Sequence, residues 1–256
     1  PLFEFEQGDV RLYDDNHRPG PEYPFDWSVS ALATITPRGN NTKLTWFKQW
    51  IEKLFIISLH PKDMDSVSAE ESSWLNHDGT NFASWYRFIS QEYQDKAFTL
   101  TEELRNIIPG FHSFKLEQAG KHRVLKVGFA TEDERGSPVF FDFKQLSDGQ
   151  RVLIVLYSIV HGLRHLGNSI FLDEPENYLS LSEIQPWLME LKESCEDAFP
   201  QAVLISHHPE LIDYLAPECG RWIERDPLGP ARVKYLPGTL KTELKLSEYI
   251  ARGWEA

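Results

Sequence analysis

Apolar and polar residues alternate with a period of two in the opening LFEFEQGDVRLYDD, break at Gly8-Asp9 and resume through Val10 and Leu12. That pattern predicts a hairpin with one buried face. A Pro-rich connection is expected from Pro19 to Pro24, after which SVSALATI and TWFKQWIEKL take up helical spacing and FIISL reads as a strand. Residues 61–80 are polar, contain DGT and read as loop. FASWYRFISQEY and TLTEELRNIIP predict two more helices, the second opened by Thr101 and closed at Pro109-Gly110.

From Phe111 the period returns to two in FHSFKLEQ, HRVLKVGFA and PVFFDF, separated by AGK and TEDERGS. A buried helix is expected from about Gln150 to Leu166, followed by strand SIFLD, helix EIQPWLMELKESC, strand AVLIS and helix PELIDYL. Strands RWIER and RVKYL and a helix LKLSEYIARGW complete the pattern. Such alternation predicts an α/β fold with a parallel-rich sheet flanked by helices, joined to an antiparallel and helical amino-terminal part. The expected division is 1–110 and 111–256.

A chain of 256 residues with 41% hydrophobic content can bury a sizeable core. Its formal net charge of -13 argues against a surface that is basic throughout, so nucleic acid would need a local patch or a partner protein. Cys195 and Cys219 are the only cysteines, too few for a disulfide framework or a closed thiolate zinc site, and a reducing cytoplasm is the expected setting. The sequence has neither a signal-peptide pattern nor an apolar run of roughly 20 residues, so no membrane partner is expected.

Three polar clusters punctuate the second half. FKQLSDGQRVLIVLYSIV places Ser147, Asp148, Gly149 and Gln150 before a buried helix, where unpaired amides and the helix dipole favour an anion. NSIFLDEPEN ends an apolar strand at Asp173 and Glu174, at the carboxyl edge where open α/β sheets bind ligands. One carboxylate could hold Mg²⁺ while the other orients a water; alone, the pair also fits a plain acidic turn. AVLISHHPEL ends another strand at Ser206, His207 and His208, which reads as a phosphate sensor or as an ordinary loop.

In this order, at these strand and helix boundaries, LSDGQ, IFLDEPEN and SHHPEL resemble the carboxyl-terminal lobe of ATP-binding-cassette-type ATPases of the SMC/RecF class. The likeness is to AAA-type ATPases carrying LSDG, EPEN and H-x-P-E elements. It is clearest from Ile107 to Ala256, and reaches the first hundred residues through DGTNFASWYRFI and the opening hairpin. The resemblance implies that Ser147, Gly149 and Gln150 meet the γ-phosphate of ATP held by a second subunit, with Asp148 replacing the first glycine of the commonest form and turned away. It implies that Asp173 supports Mg²⁺, that Glu174 activates the attacking water and that His207 is the switch histidine. Ser180 falls where relatives often carry Asp or His.

The cofactors implied are therefore ATP and Mg²⁺, and the partner a second ATPase subunit in a homodimer or larger assembly. Relatives often serve DNA repair or anti-phage defence beside a separate nuclease, so an effector nuclease and nucleic acid are further expected partners. A scaffold that retains the fold without hydrolysis is the alternative, and a metal-dependent nuclease using Asp173, Glu174 and the histidines is a third reading. The sequence contains no G-x-x-x-x-G-K-[ST] loop; GNNTK at Gly39–Lys43 and AGKHR at Ala119–Arg123 fail its spacing. The expectation is that this loop lies upstream of Pro1 or on another chain, and that the 256 residues alone turn over little ATP.

Overall fold

The computed structural model describes residues 1–131, 136–225, 229–235 and 245–252. Part of the TEDERGS turn, Leu236 of the expected strand RVKYL, and Leu244, Gly253 and Trp254 of the expected last helix lie outside these residues.

Strands β1 (Phe3–Glu6), β2 (Asp9–Tyr13) and β3 (Pro19–Pro24) form an antiparallel sheet in that order. Positive φ at Gln7 (53°) and Gly8 (91°) makes the tight turn whose twist matches the paired strands. The expected Pro-rich connection is instead β3, an edge strand, where proline's missing donor costs the sheet little. The helix expected over SVSALATI shrinks to a short 3-10 turn, Ala31–Thr34.

Next come α1 (Thr42–Ile51), β4 (Leu54–Ile57), a two-residue β5 (Val67–Ser68), α2 (Phe82–Glu92) and α3 (Gln94–Ile107). Thr101 does not open α3; it lies inside the helix and donates its hydroxyl to the Ala97 carbonyl at 2.8 Å. Trp74, in the preceding loop, stacks on Phe55 with 3.9 Å between ring centroids, so its indole covers the core.

Strands β6 (Phe111–Ala119), β7 (His122–Phe129) and β8 (Val139–Asp142) build an antiparallel sheet with β5, in which β7 pairs with the other three. They deliver the chain to α4 (Asp148–Leu163), followed by β9 (Ser169–Asp173), α5 (Leu181–Asp197), β10 (Gln201–Ile205) and α6 (Pro209–Cys219). The described tail is a hairpin of β11 (Arg221–Arg225) and β12 (Ala231–Tyr235), then α7 (Leu246–Ala251).

The expected parallel sheet has the order β10-β9-β4, both pairings parallel. Its register aligns Phe55 with Ile170 and Ala202, and Ile57 with Leu172 and Leu204, which presents an apolar face to the core. Every residue of α4 from Arg151 to Leu163 is buried. A helix apolar on all sides belongs inside a protein, and α4 packs against α2, α3 and α5. One apolar cluster runs from Phe55 to Leu211, so residues on both sides of position 110 share it. Among the described residues no helix is long and apolar enough to cross a membrane.

Candidate functional site

The site is built on two neighbouring strand ends. In register, Asp173 at the end of β9 lies beside Ile205 at the end of β10, and the amide of Glu174 donates to the Ile205 carbonyl at 2.8 Å. This bond carries the pairing one residue past the strand before the chain turns. Glu174 has φ 46° and Tyr178 φ 74°, two non-glycine residues in the left-handed region within one short turn. Each such residue costs about 1 kcal/mol, and strain of this kind gathers where function fixes a side chain.

The turn is tied by its own polar groups. The Asn177 amide donates to the Glu174 carbonyl at 3.1 Å, and Asn177 Nδ2 donates to Glu174 Oε2 at 2.8 Å. The other carboxylate oxygen of Glu174, Oε1, lies 3.8 Å from His207 Nε2, beyond direct hydrogen-bond reach. The His207 side chain is 87% exposed and that of Glu174 42%, so both face solvent at the sheet edge. His208 is committed elsewhere: its Nδ1 accepts the Glu210 amide at 3.3 Å and caps α6. Ser180 likewise caps α5, accepting and donating within a capping box with Glu183.

Ser147, Gly149 and Gln150 form the first turn of α4, with Ser147 as its cap. The Gln150 amide donates to Ser147 Oγ at 3.2 Å, and the Ser147 amide donates to Gln150 Oε1 at 3.1 Å. These side chains satisfy each other, a reciprocal arrangement that explains why Ser and Gln sit three apart before an apolar run. The amides of Asp148 and Gly149 have no acceptor among the described residues, which leaves two donors for an anion. Ser147→Ala should cost about 0.5–2 kcal/mol of stability, read as a lower urea midpoint at unchanged slope. An unchanged midpoint would show that the cap contributes nothing.

Asp148 has a side-chain partner. Its carboxylate pairs with Arg151, whose guanidinium also donates to the Pro61 carbonyl. Arg151 is 8% exposed, and sequence reading missed it; the i,i+3 acid-base spacing was the available signal.

The two clusters meet at one point. Gly149 packs so closely on the turn after Glu174 that a Cβ there would lie 2.7 Å from the Tyr178 carbonyl oxygen. Among the described residues no hydrogen bond or ion pair joins Gln150 to Asp173 or His207; Gln150 is bonded to Ser147, whereas Glu174 lies beside His207 with Asp173 next to it in the chain.

The two rejected loop motifs have structural roles. In GNNTK, the amides of Thr42 and Lys43 and the Thr42 hydroxyl all donate to the carboxylate of Asp15, at 2.9, 2.9 and 2.7 Å. An internal acid thus occupies the start of α1, and these bonds hold the Asp15 carboxyl below its usual range. AGKHR is the turn between β6 and β7.

Residues 42–213, more than half of the 256, match the family described as "AAA domain, putative AbiEii toxin, Type IV TA system". The chain belongs to this family. It is an AAA-type ATPase-like domain, and its mixed α/β architecture with a helix-flanked parallel sheet agrees with that assignment. The matched span takes in all three polar clusters of this AAA domain. A comparison with curated proteins yields no match.

Among the described residues no group of three or more His, Cys, Asp or Glu side chains is placed to hold a metal ion. Mg²⁺ asks less of a protein, keeping several waters and taking one or two carboxylates with substrate phosphates. Asp173, exposed at the strand end, fits that lesser demand.

Proposed function

We propose that this AAA domain is an ATPase of the ATP-binding-cassette type, working as a nucleotide-closed dimer in a defence or DNA-repair setting with an effector such as a nuclease. The observation that carries the reading is the meeting of Glu174 and His207 at the carboxyl edge of β9 and β10, with Asp173 one residue away. Family membership supports ATPase chemistry, and its toxin–antitoxin description supports a defence setting.

In this reading Asp173 would hold Mg²⁺, which supplies charge neutralisation at the β- and γ-phosphates. Glu174 accepts a proton from water as its oxygen attacks the γ-phosphorus and the bond to the β,γ-bridging oxygen breaks. The Asn177 bond leaves Oε1 of Glu174 facing His207, the oxygen best placed for that proton. His207 donates toward the terminal phosphate. From the partner subunit, the α4 start would present the amides of Asp148 and Gly149 to the same phosphate, with the Ser147 and Gln150 side chains opening their mutual bonds to join them. Such trans contacts imply a two-fold dimer, and ATP shifts its population toward closure because the contacts exist in one state only.

This cycle requires a phosphate-cradling loop, and the 256 residues contain no G-x-x-x-x-G-K-[ST] sequence. Phosphate release should therefore be weak for the chain alone and strong for protein carrying such a loop, in each case dependent on Glu174. Brisk turnover by the 256 residues alone, or turnover indifferent to Glu174, would overturn the assignment. The scaffold reading draws on the same missing loop and predicts no ATP-dependent dimer under any of these conditions.

A further inference from the structure

The His207 ring has little side-chain support. It is 87% exposed, and its nearest charged partner, Glu174, is 3.8 Å away. Its position must come from the backbone on either side. On one side Ser206 Oγ accepts the His208 amide at 2.9 Å, and the same hydroxyl donates its one proton to Glu176 Oε1. Glu176 belongs to the other turn, two residues after Glu174, and is 8% exposed. The hydroxyl therefore joins the two turns, and the carboxyl is its buried end.

The second oxygen of Glu176, Oε2, is buried without a hydrogen-bond partner among the described residues. A buried acceptor left unpaired is costly, and such an exception calls for a reason beyond packing. Among the described residues two hydrogen bonds tie the turns together. One is the Glu174 amide on the Ile205 carbonyl, which any sequence supplies; the other is Glu176 on Ser206, which depends on both side chains.

We propose that Glu176 is a positioning residue: through Ser206, its buried carboxyl holds the turn carrying His207 against Glu174. The proposal rests on the ATPase reading for its catalytic consequence but not for the tie itself. Glu176 touches neither substrate nor reacting atoms; it fixes where the exposed imidazole stands when nucleotide arrives.

The test uses the ring ¹H–¹³C signals of His207 in the 256-residue chain. Glu174→Gln should shift them in the otherwise unaltered protein, and the shift should be largely lost when Glu176→Ala or Ser206→Ala is already present. Glu176→Gln, which keeps an oxygen for Ser206, should preserve it. In loop-bearing protein, Glu176→Ala should lower kcat about 10- to 100-fold, as misplaced groups do, with KM for ATP little changed, and Glu176→Gln should restore it. An undiminished His207 response in both alanine variants overturns the proposal, as does a Glu176→Gln protein that behaves like Glu176→Ala. Should Glu176→Ala fail to fold, Ser206→Ala, which removes only a hydroxyl, decides alone. Turnover indifferent to Glu174→Gln, with the His207 coupling intact, would remove the ATPase reading and leave the tie standing.

Discussion

Glu174→Gln is expected to lower ATP turnover by about 10²- to 10⁴-fold, the usual contribution of a general base. That range corresponds to about 3–5 kcal/mol of barrier. The substitution keeps an oxygen where Asn177 Nδ2 donates at 2.8 Å and asks for the same backbone, so the strained turn at φ 46° should survive. What it removes is the basicity of the group facing His207. Nucleotide binding should persist, and the bound dimer, unable to complete hydrolysis, should accumulate. Solution mass measured with and without ATP on loop-bearing protein reads that accumulation directly. A variant that hydrolyses normally would deny Glu174 its role; one that stays monomeric with ATP would deny the switch.

Much of this arrangement can be read before any coordinates, for reasons that differ from element to element. SIFLD and AVLIS are short apolar runs bounded by polar residues, and they become β9 and β10 side by side. Because the two strands run parallel and in register, the acid ending one run and the serine–histidine pair following the other reach the same sheet edge. The buried α4 is legible from the length of its apolar stretch alone.

Other features are hidden because their cause is tertiary. Prolines at 19–24 suggest a connection, yet an edge strand tolerates them, and whether a strand is an edge is decided elsewhere in the chain. Thr101 looks like a cap but bonds back to Ala97, a habit of threonine inside helices that sequence does not distinguish. Ser147 and Gln150 read from sequence as phosphate ligands, and the capping box goes unread because it uses the same atoms at the same spacing. The structure shows the box. From sequence, Glu176 and Asn177 read equally as supporting residues of the site or as plain turn residues; the tie from Glu176 to Ser206 is hidden because that partner lies at another strand end.

Gly149→Ala is the substitution that asks whether the two clusters are mechanically one. In an ordinary helix it would be favourable, since alanine exceeds glycine by about 1 kcal/mol in propensity. Here the added Cβ meets the Tyr178 carbonyl oxygen at 2.7 Å, an atom of the main chain that cannot rotate away, and approaches Leu179 at 3.9 Å. Either the first turn of α4 lifts or the Tyr178 turn, already at φ 74°, is pushed. Overpacking of this kind costs about 1–3 kcal/mol, enough to outweigh the propensity gain. Urea denaturation should show a lowered midpoint, and ATP turnover in loop-bearing protein should fall as the displaced turn carries Glu174 with it. A more stable Gly149→Ala protein would mean that the contact yields freely. The start of α4 and the acidic turn would then be neighbours without being coupled, and motion of one on meeting a phosphate would not reach the other.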